Sequence, residues 1–118
     1  MPKDLTWNQL KQELADTSAI TLSGTDIVIS IGKTTGDTYN SLDNVGVTEF
    51  IQKLLVACNK AQVKVNQGVD VGERLASYPA PNFGTPTRSS DGILRVTCTQ
   101  QAVSRLTIDA NSTVGNQN

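Results

Sequence analysis

The absence of histidine limits the chemistry that the other reactive side chains of this sequence can perform. Without an imidazole, no residue titrates near neutral pH unless its pKa is strongly shifted, and Ser-His-Asp or Cys-His sites are excluded within one chain. A zinc ion would find only two thiols and carboxylates, which is a poor set of ligands. The sequence therefore predicts no metal and no cofactor, and it favours a protein that is not an enzyme.

A histidine-free enzyme would need a carboxylate pair, a Ser-Lys pair or an activated cysteine. Arg95 and Cys98 lie three residues apart on a predicted strand, so their side chains point to opposite faces and cannot readily meet. Two carboxylates could converge from predicted loops and turns, although no spacing requires it. These acids are Asp26, Asp37, Asp43, Asp70, Glu73 and Asp91.

The segment IGKTTGDT at residues 31–38 has the Gly-Lys-Thr of a phosphate-binding loop, at Gly32-Lys33-Thr34, but not its first glycine. That loop needs a glycine five residues before Gly32, where this chain has Ile27. Gly36 and Asp37 are also expected to break a helix after the lysine. We interpret the segment as a loop that leaves a strand, and not as a nucleotide site.

Asp37 begins a cluster of oxygen-bearing side chains that could suggest a calcium loop, with Asn40, Asp43 and Glu49 following. A helix-loop-helix calcium site needs glycine at its sixth position and a carboxylate at its twelfth. Counted from Asp37, these positions hold Leu42 and Thr48. We therefore expect local turn bonds and helix capping from this cluster.

Loop aromatic and arginine residues are the candidate contact residues. Three of the five aromatic residues fall in predicted loops, and two arginines flank the longest loop. Tyrosine and arginine are enriched at contact hot spots, and arginine also holds anionic groups. These residues could contact a protein partner, line a small anionic-ligand site, or simply close the core. The candidates are Tyr39, Arg74, Tyr78, Phe83 and Arg88.

The charge balance and the hydropathy pattern narrow the class of partner. Ten basic and eleven acidic side chains give a net charge of −1, which argues against nucleic acid and against electrostatic membrane docking. Because the net charge is close to zero, copies of the chain repel each other only weakly, and self-association is physically possible. No apolar run has the length of a signal or membrane-spanning segment, so we expect a cytoplasmic protein. Cys58 and Cys98 lie in apolar patterns and are expected to remain free thiols.

The N-terminal half contains a helix followed by a hairpin. Thr6 and Gln9 have the spacing of a capping box, which predicts a helix from Trp7 to about residue 15. Apolar residues then alternate at 20–22 and 27–31 around a Ser-Gly-Thr-Asp turn, as in a β-hairpin. Because Val28 is apolar as well, we expect the second strand to be central in its sheet.

A long amphipathic helix follows a loop at residues 33–46. Apolar residues recur at spacings of four and three from Val47, with Thr48 as a candidate N-cap and Gly68 as a stop. This pattern predicts a helix from Val47 to about Asn66. Lysines on its opposite side are interpreted as a solvated face: Lys53, Lys60 and Lys64.

The C-terminal half is predicted to hold a long loop and a second hairpin. Residues 68–92 are rich in proline, glycine, serine and threonine, which favours a loop. Two strands are expected after it, at 94–98 and 104–110, with a turn near Gln100 and Gln101. Residues 112–118 form a polar tail that we expect to fray.

Together these elements predict one α+β domain over residues 1–118, in the order α-β-β-α-β-β. About four antiparallel strands would form one sheet packed against two helices. The leading hypothesis is a non-enzymatic interaction or assembly domain that self-associates or binds another protein. A small anionic-ligand domain is the alternative, and a carboxylate enzyme is the third hypothesis.

Overall fold

The structure, a computed structural model, describes residues 4–103. It contains both helices and antiparallel strands, which confirms the α+β class. The helices are α1 (Trp7–Lys11), α2 (Ile31–Thr35) and α3 (Val47–Asn66). The strands are β1 (Ile20–Ser23), β2 (Asp26–Ile29), β3 (Asn82–Phe83), β4 (Thr87–Arg88), β5 (Leu94–Arg95) and β6 (Cys98–Thr99).

Helix α1 begins with the predicted capping box. The Thr6 hydroxyl accepts a hydrogen bond from the Gln9 N–H at 3.2 Å, and the Gln9 side chain accepts one from the Thr6 N–H at 2.9 Å. The helix ends at Lys11, earlier than expected, because the chain tightens there into bonds between residues three apart. Leu10 and Leu14 are nevertheless both buried, as their spacing requires.

Strands β1 and β2 form the predicted first hairpin. Ser23 pairs with Asp26, so a two-residue turn joins the strands, and Gly24 adopts a φ of +61° in it. Among residues 4–103, the sheet contains only these two strands, and Val28 is 45% exposed. Within this part of the chain, β2 is therefore an edge strand and not the central strand that was predicted.

Helix α2 lies in a segment that was expected to be strand and loop. Strand β2 ends at Ile29 because the Ser30 side chain accepts a hydrogen bond from the Lys33 N–H at 3.3 Å and caps the helix. The helix stops at Gly36, where glycine takes a φ of +88°. The interpretation of this segment as a loop without a helix is therefore wrong for residues 31–35.

Helix α3 has the predicted bounds. Its N-cap is Gly46 and not Thr48, and no side chain caps it. A Cβ atom at Gly46 would collide with the Tyr39 hydroxyl, and the φ of +140° also favours glycine. Close approach of Tyr39 therefore fixes how the chain enters the helix.

The four C-terminal strands form two nested pairs, β3 with β6 and β4 with β5. Both β5 and β6 pair with residues upstream of them, and the expected pairing of 94–98 with 104–110 involves residues outside the described part of the chain. The Val103 N–H donates to the Ser77 carbonyl at 2.7 Å, so the chain continues along the same neighbour beyond β6 instead of turning at Gln100. Residues 104–110 and 112–118 lie outside the described residues.

Two of these strands, β3 and β4, fall within residues 68–92, which were expected to be loop. The prolines of this stretch lie outside the paired positions, so they remove no hydrogen bond from either ladder. Each strand is only two residues long and offers no alternating pattern to detect.

The core lies between α1, β1 and α3, and it is small. In the part of the chain that the structure describes, three of the buried residues are large aliphatics, and the strands form three two-stranded sheets instead of one sheet of four. No helix within residues 4–103 is long and apolar enough to cross a membrane. The buried hydrophobic residues are Leu10, Leu14, Ala19, Ile20, Ala57, Cys58 and Ala61.

Candidate functional site

Side-chain amides on α3 hold the start of the proline-rich segment. The Gln62 amide donates to the Tyr78 carbonyl and accepts from the Tyr78 N–H, both at 3.0 Å. Asn66 makes the same paired contact with Leu75, at 2.9 and 2.8 Å. Asn59 adds a bond to the Tyr78 carbonyl at 2.9 Å. We call Asn59, Gln62 and Asn66 the amide ladder, since it bonds the segment through its backbone as a neighbouring strand would.

Tyr78 is a core residue. Its side chain packs against the hydrophobic core and hydrogen-bonds to the buried Cys58 thiol. Burial raises the pKa of the thiol and is also the main reason that the pKa of the Tyr78 phenol is raised. Cys58 is a free thiol, as expected, and its raised pKa makes it a poor nucleophile.

Tyr39 is the second candidate that packs into the body of the protein. It is partly buried between α2 and α3, where its hydroxyl lies 3.4 Å from the Thr35 hydroxyl and against Gly46. The two tyrosines therefore fit the interpretation that loop aromatics close the core.

The other three candidates lie on the surface. Phe83 is 60% exposed on β3. The Arg74 Nε donates to the Val69 carbonyl at 2.8 Å, and an Arg88 guanidinium nitrogen donates to the Gly92 carbonyl at 2.9 Å. Each arginine thus binds the backbone of its own turn. Since Phe83 and Tyr78 also line different clefts, the five candidates do not gather around one ligand.

A pair of acids meets where α2 packs against α3. Lys53 donates to the Thr35 carbonyl at 2.7 Å and pairs with Glu49 at 3.1 Å. A hydrogen bond to Glu49, followed by the repulsion of its charge, raises the pKa of Asp37. The bond from Lys53, followed by the one with Asp37, lowers the pKa of Glu49.

This acid pair joins two helices but does not form an enclosed site. Asp37 and Glu49 are both exposed, and neither lines the clefts described below. Within the part of the chain that the structure describes, no three histidine, cysteine or acidic residues are placed to hold a metal ion. The pair is therefore a surface contact between the end of α2 and α3.

A cleft of about 380 Å³ lies beside α3, and Phe83 and Cys98 form part of its wall. Lys53 and Lys60 stand seven residues apart on the helix and both line it. Lys53 is already bonded, whereas Lys60 has no ion-pair partner among residues 4–103. The sequence interpretation of these lysines as a solvated face missed this cleft, because part of its wall comes from Phe83 on β3, a strand that was not predicted.

A wider groove of about 600 Å³ separates α1 from β1. Trp7 and Lys11 line it on the helix side, and three consecutive residues of β1 line it on the strand side together with Ile27. Leu22 is 74% exposed in this groove. The groove is thus an open apolar surface next to a two-stranded sheet.

Exposed apolar side chains are the most prominent feature of the described surface. Sixteen large hydrophobic residues between 4 and 103 are exposed, against three large aliphatics that are buried. They are spread over the first hairpin, the nested strands and α3, and six others lie elsewhere: Trp7, Ile31, Leu42, Val45, Val71 and Val103. The exposed residues of the first hairpin are Leu22, Ile27 and Val28.

Comparison with known protein families, with characterised proteins and with solved structures finds no match to this chain.

Proposed function

We propose that this chain is a non-enzymatic assembly domain that associates with further copies of itself through its exposed apolar surface. The observation that carries the proposal is the excess of exposed over buried large hydrophobic side chains in residues 4–103. Soluble monomers rarely expose extended apolar patches, and such patches commonly mark interfaces.

The energetics of burial support this function. Burying a fully exposed valine, leucine or isoleucine contributes about 1.5–3 kcal/mol, and Ile27 and Val28, at 41% and 45% exposure, would each contribute less than half of that. Several such residues are therefore needed to offset the entropy lost on association. With a net charge of −1, long-range repulsion between copies is small. An isolated two-stranded hairpin is also marginal in water, and a partner would stabilise it.

The expected sheet of about four strands on two helices belongs to this proposal. One chain supplies β1 and β2 as a separate two-stranded sheet against its helices. Two chains that join their first hairpins would supply four antiparallel strands. Such an assembly would have the expected number of strands, but from two copies of the first hairpin instead of the two hairpins of one chain.

Light scattering on the purified chain, from about 10 μM to 1 mM, tests the proposal. We expect the average mass to rise with concentration. Val28→Lys should shift the rise to at least tenfold higher concentration, because it places a charge on the exposed face of β2. The matched control is Leu42→Lys, which changes an equally apolar but fully exposed loop residue and should leave the curve unchanged. A wild-type chain that stays monomeric at 1 mM contradicts the proposal.

A small anionic ligand is the second candidate, and the cleft beside α3 favours it. Lys60 offers an unpaired ammonium group there, and Phe83 offers an aromatic ring. Thermal-shift measurements with aromatic carboxylates and phosphates test this function. Stabilisation that disappears in Lys60→Met but persists in Lys11→Met supports it, and no stabilisation by any compound rejects it.

A further inference from the structure

The pairing of β1 with β2 determines which backbone groups are left free. Ser30 donates to the Ala19 carbonyl at 2.7 Å, and the register then makes Thr21 and Val28 a hydrogen-bonded pair. In an antiparallel ladder, the residues between such pairs point their N–H and C=O groups outward. On β2 these residues are Ile27 and Ile29.

One end of the outer edge of β1 is screened by the rest of the chain. Of the two β1 residues whose backbone groups point outward, Ile20 is only 5% exposed, although Leu22 is 74% exposed. On β2, Ile27 is 41% exposed and Ile29 is partly exposed, so neither of its outward residues is buried. A strand that adds to this sheet therefore reaches β2 more readily than β1.

We propose that β2 pairs antiparallel with β2 of a second copy across a twofold axis. This inference rests on the proposed self-association and names its interface. Val28 lies opposite the partner's Val28 at the axis, and Ile27 lies opposite the partner's Ile29. The outward groups of Ile27 and Ile29 then form four hydrogen bonds between the two copies. The strand order becomes β1-β2-β2-β1, which is one four-stranded antiparallel sheet.

The sequence of β2 suits a second copy as the occupant. Ile27, Val28 and Ile29 are apolar in succession, a pattern typical of a central strand with both faces covered. The pairing places no like charges opposite each other, because Asp26 lies opposite the partner's Ser30. Edge strands of monomers commonly carry a lysine, a proline or a bulge that prevents pairing with another chain, and β2 has none of these.

The interface is small, so the association is expected to be weak. Four residues from each copy bury far less than the roughly 800 Å² per partner of a standard interface. We therefore expect a dissociation constant above about 1 μM. This range lies within reach of the light-scattering series.

Cysteine cross-linking tests the register directly. In the proposed sheet, the two copies of residue 28 form a pair without hydrogen bonds, with Cα atoms about 4.5 Å apart, which suits a disulfide. Thr21 is the matched control, because it is exposed and pairs with Val28 within one hairpin. Its two copies would lie about 14 Å apart, at three strand spacings. Both substitutions are made in a Cys98→Ser chain, so that Cys58, which is buried, is the remaining native thiol.

Under mild oxidation we expect Val28→Cys to form a disulfide-linked dimer in high yield and Thr21→Cys to remain monomeric. Circular dichroism of the reduced variants confirms that both are folded. Cross-linking by Thr21→Cys but not by Val28→Cys assigns the interface to β1 and overturns this inference, although self-association stands. The inference also fails if neither variant cross-links while the wild-type mass still rises with concentration. If the mass does not rise, the proposed function itself fails.

Discussion

Replacing Gln62 by methionine tests whether the amide ladder holds the proline-rich segment on α3. Gln62 is buried, and methionine preserves its length and volume but cannot form its two hydrogen bonds with Tyr78. The Tyr78 carbonyl keeps its bond from Asn59, so the Tyr78 N–H is the group that loses its partner. The substitution therefore leaves one partly buried donor, the Tyr78 N–H, without its acceptor.

The expected cost follows from that loss. A buried donor without a partner lowers the free energy of unfolding by about 1–3 kcal/mol. Methionine offsets part of this loss, because the Gln62 amide no longer has to be removed from water on folding. We expect a loss of about 2 kcal/mol in the free energy of unfolding. For a domain of this size, the melting temperature should fall by roughly 8–12 °C.

Urea denaturation and hydrogen exchange measure the two consequences. Gln67→Met is the matched control, because Gln67 is exposed just beyond the same helix, and it should change stability by less than about 0.5 kcal/mol. The Tyr78 amide should exchange faster in Gln62→Met than in the control. Equal stabilities, with an equally slow Tyr78 amide, would refute the role given to the amide ladder.

Two further predictions concern the junction of α2 with α3. Glu49→Gln should lower the pKa of Asp37 toward its ordinary value in an NMR titration. Because that pKa is raised in the folded chain, the stabilisation from Asp37 is full below about pH 3.9 and is lost as the pH rises through its folded pKa. If the pKa of Asp37 is the same in Glu49→Gln, the hydrogen bond to Glu49 is not what raises it. Gly46→Ala should destabilise the chain more than Gly36→Ala, by about 1–3 kcal/mol in chemical denaturation. Both glycines have positive φ, but only at Gly46 does Tyr39 occupy the Cβ position; equal losses would contradict this packing.

Local signals in the sequence located the elements that depend on them. The capping box at Thr6, the two-residue turn before Asp26 and the apolar period from Val47 each act within a few residues, and all three elements are present. Helix α2 was missed because its five residues carry no apolar period, and a single hydrogen bond to Ser30 starts it. The fold class was therefore accessible, whereas the pairing of the later strands was not.

The site residues show the same division. Tyr and Arg were chosen by residue type, but type alone does not distinguish a tyrosine that packs on Cys58 from one that contacts a partner. A signal for the amide ladder was present in the uncharged amides at 59, 62 and 66, which share one side of α3. Its target, the backbone near Tyr78, could not be inferred because a backbone contact leaves no mark on the sequence.

Hydrogen exchange of the β2 amides at two protein concentrations tests the central claim most directly. The outward amides of Ile27 and Ile29 have no acceptor within residues 4–103, while the Val28 amide bonds to Thr21 and serves as an internal reference. If the chain assembles through β2, the Ile27 and Ile29 amides exchange fast in dilute solution and about tenfold more slowly when nine-tenths of the chains are paired. Fast exchange of both amides at every concentration, beside a slow Val28, would contradict it.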